Sequence, residues 1–202
     1  YSKISYMKKK YPIYVASFII FLIILSLSLT LVSSNKSLYP KVKEHNQEEE
    51  IALNNLVNYL DNKEKLDSNY FNEREIVHMK DVKYLLDITK IILILSIISL
   101  IIFSNYLTKK QFKHSLIKGS MISIIFTFLI SVISLFSFSK FFSIFHSFFF
   151  KAGTWLFSNT DMLIRLFPFE FFFWILLRVL LINLIVSSII LIFLITRKKN
   201  KK

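Results

Sequence analysis

Apolar residues run almost unbroken over residues 11–33, 88–107, 121–139 and 169–196. Each run is long enough to cross a hydrocarbon layer of about 30 Å as a helix rising about 1.5 Å per residue. The pattern predicts four transmembrane helices. Between them, residues 34–87 and 140–168 have a different texture. "QEEEIALNNLVNYL" puts Leu53, Leu56, Val57 and Leu60 at helical spacing with Glu48, Glu49 and Glu50 in the first turn, which predicts a short amphipathic helix. "DNKEKLDSN" reads as a turn, and from about Glu73 a helical pattern resumes and merges into the second run. There Glu75, His78 and Asp81 share one face, with Arg74 close to the same stripe. In the other segment "KFFSIFHSFFFK", residues 140–151, is too short to span and too apolar for a solvated loop, so it is expected to lie in the membrane interface. A helix there gathers Ser143, His146 and Ser147 into one polar stripe among seven apolar residues.

Composition and charge extend this picture to a topology. The chain of 202 residues is 54% hydrophobic with only 2 Gly and 3 Pro, which points to an all-α integral membrane protein of one domain. Lys3, Lys8, Lys9 and Lys10 precede the first run, Lys109, Lys110, Lys113 and Lys118 lie between the second and third, and Arg197, Lys198, Lys199, Lys201 and Lys202 follow the fourth. None of these stretches contains an acid; all 13 carboxylates fall in the other two segments or at their edges. Both termini are therefore expected in the cytoplasm, with residues 34–87 forming a helical extracytoplasmic cap and residues 140–168 carrying the interfacial segment. The net charge of +13 follows from this asymmetry and from attraction to anionic lipid, and gives no reason to expect nucleic-acid binding. The first run exceeds the usual h-region of a signal peptide and no small-residue cleavage pattern follows it, so it is expected to be a permanent helix. Abundant Ile, Lys, Asn and Phe suggests an AT-rich bacterial genome.

With no cysteine, disulfides, thiolate metal sites and cysteine nucleophiles are excluded. His78 has an acid on either side on its helix, and His146 sits in an apolar setting at the same predicted face and depth. A lone interfacial histidine is usually a hydrogen-bonded structural residue, yet two ionisable groups near lipid are costly enough to need a reason. His45 and His114 have no such setting and read as ordinary. Asp161 and Arg165 are spaced to pair on one helix, Pro168 marks a break, and Trp155 with its neighbouring phenylalanines fits a headgroup belt. Arg178, inside the fourth run, either snorkels outward or faces a polar cavity. His78 and His146 with Glu75, Asp81 or Asp161 would supply three zinc ligands, but no H-E-x-x-H spacing is present, and no metal or cofactor is expected.

"FNEREIVHMKDVKYL" and "FHSFFFKAGTWLFSNTDMLIRLFPFEFF", together with four spans in this order, resemble the Lit family of bacterial lipoprotein intramolecular transacylases. In that family the histidines of the H-M-x-D-V-K and F-H-x-x-F-F elements are assigned to catalysis, and here these are His78 and His146. The resemblance implies a diacylated bacterial lipoprotein as substrate, with the sn-2 acyl chain of its diacylglyceryl cysteine moved to the α-amino group of the same cysteine, giving the lyso form. It also implies the bacterial cell membrane, a site at the extracytoplasmic face, contact with membrane lipids and a monomer. Such transfer needs a base, since an α-amine with a pKa of about 7.7 to 8.0 is largely protonated near neutrality, and histidine suits the task. Proximity of amine and ester in one molecule removes the need for an acyl-enzyme, consistent with the absence of a G-x-S-x-G elbow, although Ser143 and Ser147 stand open as nucleophiles. One assignment makes His78 the base, oriented by Asp81, and His146 the acid or oxyanion donor; the reverse stays open. Arg165 or Arg178 is a candidate for the oxyanion. Two other classes fit the same residues: a lipid hydrolase or intermolecular acyltransferase, which would release fatty acid or need a second lipid, and a non-enzymatic membrane scaffold.

Overall fold

In lipid an apolar segment satisfies its backbone by forming a helix or joining a closed barrel, and every regular element among the described residues is helical. The computed structural model describes residues 2–39 and 47–199; His45, Lys201 and Lys202 lie outside the described residues. In chain order the elements are α1 (Ser2–Ser33), a 3₁₀ turn (Lys36–Leu38), α2 (Gln47–Leu60), α3 (Glu73–Ser104), α4 (Lys109–Phe136), α5 (Phe138–Phe149), α6 (Met162–Leu166) and α7 (Phe169–Lys199). Among the described residues four helices are long and apolar enough to cross a membrane: α1 over Tyr11–Ser33, α3, α4, and α7 over Phe169–Thr196.

Two of these start well before their apolar runs, and caps explain why. Thr108 and Gln111 form a reciprocal capping box: Gln111 Oε1 accepts the Thr108 N–H at 2.9 Å and Thr108 Oγ1 accepts the Gln111 N–H at 3.2 Å. Helix α4 therefore begins on its lysines. Asn72 and Glu75 do the same for α3, with Glu75 Oε2 accepting the Asn72 N–H at 2.8 Å and Asn72 Oδ1 accepting the Glu75 N–H at 3.1 Å. At the other end α4 stops at Phe136, because Ser137 turns extended and caps α5.

Contacts divide the chain into two compact units, each described here by itself. One comprises Tyr1–Leu31, Ile88–Val132 and Arg178–Lys202. Apolar surface gives helices no reason to associate in lipid, so small and polar side chains join them. Ser115 Oγ donates to the Ile13 carbonyl at 3.2 Å, and Ser123 Oγ and Thr127 Oγ1 donate to Asn183 Oδ1 at 2.5 and 2.9 Å. At Gly119 a Cβ would lie 2.7 Å from Ile20 and from the Ser17 carbonyl oxygen, so α1 and α4 can approach this closely only over glycine.

The other unit comprises Val32–Asp87 and Ile133–Leu177. Its core joins Ala52, Leu53 and Leu56 of α2 to Phe71, to Met79 of α3 and to Met162, Leu163 and Leu166 of α6. Asn62 ends α2 in the left-handed conformation at φ 63°, which asparagine tolerates better than most residues. Lys36 and Lys63 both pair with Asp61 at this turn.

Candidate active site

The part of α3 that precedes its apolar run carries Glu73, Arg74, Glu75, Lys80, Asp81, Lys83 and Asp87, and so lies outside the hydrocarbon. His78 sits within it. Glu75, 1% exposed, uses its second oxygen to accept the Leu163 N–H at 2.7 Å, which ties the start of α6 to the first turn of α3. One helical turn on, His78 points into the same interior. The phase of α5, set by its cap at Ser137, makes His146 the buried residue of that helix. Each histidine is 8% exposed, and their rings stack with centroids 6.0 Å apart and planes 22° apart.

Aromatic rings enclose the pair. Phe150 and Phe157 lie 4.7 and 5.4 Å from the His78 ring, and Phe142 and Trp155 lie 3.9 and 5.1 Å from the His146 ring. Both histidines line a cavity of about 230 Å³ whose other walls are mostly apolar, among them Leu38, Leu56, Leu60, Met79, Val82, Leu86, Leu163, Phe167, Phe172 and Ile175. Its volume and apolar lining suit part of an alkyl chain.

Protonation follows from the surroundings. His146 Nδ1 lies 2.8 Å from the Phe142 carbonyl oxygen. A carbonyl can only accept, so Nδ1 carries the hydrogen and the neutral ring presents the lone pair of Nε2. His78 Nδ1 is buried and has no hydrogen-bond partner. Burial, and after it the neighbouring His146, push His78 down to about 4. Burial also lowers His146, opposed by its bond to Phe142. Both rings are neutral at pH 7.

The remaining predicted residues fall in several places. Asp81 is half-buried and makes no hydrogen bond to His78, so the expected orienting contact is absent. Glu75 does not hold the ring either, because both its oxygens serve backbone N–H groups. The expected Asp161–Arg165 pair is also absent. Arg165 Nε donates to Glu49 Oε1 at 2.9 Å and its Nη2 lies 3.7 Å from Glu48, joining α6 to α2. Asp161 instead accepts from Asn72 Nδ2 at 2.9 Å and from the Ser158 N–H at 2.6 Å, with Arg74 3.7 Å away. The cause is that Asp161 precedes α6 as its N-cap residue and so does not stack on Arg165 along a helix face. Arg178 is exposed on α7, and His114 is exposed on α4. Ser143 and Ser147 are exposed, and Ser147 Oγ donates to the Ser143 carbonyl rather than engaging His146. Among the described residues no three His, Asp or Glu side chains gather as a metal ion would need. The sequence reading missed Phe142, whose contribution is a main-chain carbonyl, and the anchoring role of Glu75, which the N-x-x-E spacing of a capping box would have signalled.

The family described as lipoprotein intramolecular transacylase Lit matches residues 14–172. Among solved structures the chain is similar to the membrane-integral lipoprotein intramolecular transacylase Lit of Bacillus cereus, with a TM-score of 0.81 and 25% identity over 96% of this chain and 98% of that one. Variants of that protein with one histidine replaced by arginine or by alanine share the fold. The arginine form has a TM-score of 0.77 and 23% identity over 99% of this chain and 97% of that one. The alanine form has a TM-score of 0.79 and 24% identity over 99% of both chains. No curated protein matches the sequence.

Proposed function

Because the chain belongs to the Lit family, the lipoprotein intramolecular transacylases, and is a multi-pass membrane acyltransferase, we propose that its His78–His146 pair catalyses the transfer. The substrate in this reading is a bacterial lipoprotein whose N-terminal cysteine bears a diacylglyceryl group and a free α-amine. The amine nitrogen attacks the carbonyl carbon of the sn-2 ester, and the tetrahedral intermediate collapses by breaking the bond to the glycerol oxygen. His146 Nε2 takes the proton that the amine sheds and gives it back to the departing glycerol oxygen, with His78 a neutral hydrogen-bond partner on that side, so both rings end the turnover as they began. One N–C bond forms and one C–O bond breaks, so the product is an isomer of the substrate. The observation that carries this reading is the pair itself: two buried neutral imidazoles 6.0 Å apart, one with its tautomer set by Phe142, at the edge of an apolar cavity. The hydrogen bonding favours His146 as base over His78.

The bacterial cell membrane is the location this reading requires, with the site at the outer face, a monomeric enzyme and membrane lipid around it. The acid-free lysine clusters beside the apolar runs support that orientation. The exposed serines of α5 give no support to an acyl-enzyme. The test is tandem mass spectrometry of a reporter lipopeptide from cells lacking other N-acylation machinery. Fragments that place one acyl group on the amine and leave one on the glycerol are expected with the wild-type chain. They are expected to vanish with His78→Ala and with His146→Ala while both variants remain folded. Full transfer by both variants would sink the assignment; free fatty acid in place of the isomer would favour a hydrolase.

A further inference from the structure

Attack of an amine on an ester places a negative charge on the former carbonyl oxygen, and a mostly apolar cavity offers that charge few partners. A donor must therefore be supplied by the wall. The arginines are not available for it: Arg165 is committed to Glu49 and Glu48, and neither it nor Arg178 lines the cavity. Of the polar groups that do line it, Tyr39 spends its hydroxyl on the Ser33 carbonyl at 3.0 Å, and Asn35 is exposed, so its amide is open to water. His146 Nδ1 is occupied by Phe142. Trp155 is different. Its ring lines the cavity 5.1 Å from the His146 ring, and its Nε1 is buried with no acceptor. A buried N–H without a partner costs roughly 1–3 kcal/mol and is rare enough in a folded protein to need an explanation.

We infer that the Trp155 indole N–H is the oxyanion donor of the transfer, hydrogen-bonding the acyl oxygen as it becomes negative. Resting on the transacylase reading, this makes Trp155 a catalytic residue in addition to a packing one. An indole is a donor only and carries no charge. It therefore stabilises the oxyanion without adding a charge to a site whose walls are mostly apolar. A bond that the indole N–H makes only to the transition state accelerates the chemical step, where one made equally to the ground state would not.

The experiment uses the purified full-length protein in detergent with a synthetic diacylglyceryl-cysteinyl peptide, in a Trp174→Phe background so that Trp155 is the lone tryptophan. Trp174 is exposed and does not line the cavity. Trp155 is replaced by phenylalanine and, separately, by the benzothienyl analogue, which keeps the shape of indole and exchanges N–H for sulfur. For both, kcat is expected to fall by roughly 10²-fold or more with KM little changed, as for other oxyanion donors. A packing role would spare the isosteric analogue. Retention of kcat within about threefold by the benzothienyl form, with the parent active and His146→Ala inactive, overturns the inference alone. Absence of transfer in the parent protein overturns the transacylase reading and this inference with it.

Discussion

At the scale of single residues, the site is governed by desolvation. An imidazole whose pKa is lower in the folded chain than its ordinary value binds fewer protons than the unfolded chain does between those two values. For His78 that window runs from about 6.5 down to about 4. Stability is thus fully present above pH 6.5 and is lost as pH falls through the window. The midpoint of thermal unfolding should be flat from pH 8 to 7 and decline toward pH 4.5, and His78→Phe should lessen that decline. With His146 as the proposed base, the acid limb of the rate profile should lie below pH 6.5, the direction that its burial imposes. Asp81 has no contact with the pair, so Asp81→Ala should leave transfer within about threefold of wild type, measured by the same lipopeptide fragments. His78 and His146 were legible in the sequence because ionisable residues beside lipid are conspicuous. Asp81 was misread because helical spacing brings two side chains near each other without making them bond. The group that does orient a ring, the Phe142 carbonyl, is present at every residue and leaves no trace in composition.

At the scale of elements, apolar length located the membrane helices, but side-chain caps decide where α3 and α4 begin, and those caps lie in charged sequence. Glu75 shows what depends on them. Its carboxylate accepts two backbone N–H groups, one starting α3 and one in α6. Glu75→Gln would turn an NH₂ toward one of these donors, and the loss should be about 1–3 kcal/mol, read as a lowered unfolding midpoint. In the other unit the close approach at Gly119 makes a similar demand. With a Cβ placed 2.7 Å from Ile20, Gly119→Ala should destabilise by about 1–3 kcal/mol through overpacking. Unfolding in mixed detergent micelles would measure it. The amphipathic stripe of α2 was readable from its leucines, whereas the pairing of Glu49 with Arg165 was not, since it joins residues far apart in the chain.

At the scale of the whole molecule, the distribution of charge predicts an orientation that can be measured directly. The chain has no cysteine, so a single introduced one reports its own side. Lys63→Cys, at the exposed end of α2, should react with an impermeant maleimide in intact cells, and Lys110→Cys, at the start of α4, only after permeabilisation. The opposite pattern would reverse the topology. The cavity has a consequence of another kind. Its wall draws on residues from the end of α1, from α2, α3, α5, α6 and α7, and from the connections between them, and only two of these residues are histidines. On the proposed mechanism the chemistry falls to His78, His146 and Trp155, and fit falls to the rest of the wall. If that assignment holds, selection can reshape the remaining wall one leucine or phenylalanine at a time without touching the groups that carry the reaction, so descendants of this chain can diverge in the tails they accept and keep a common chemistry.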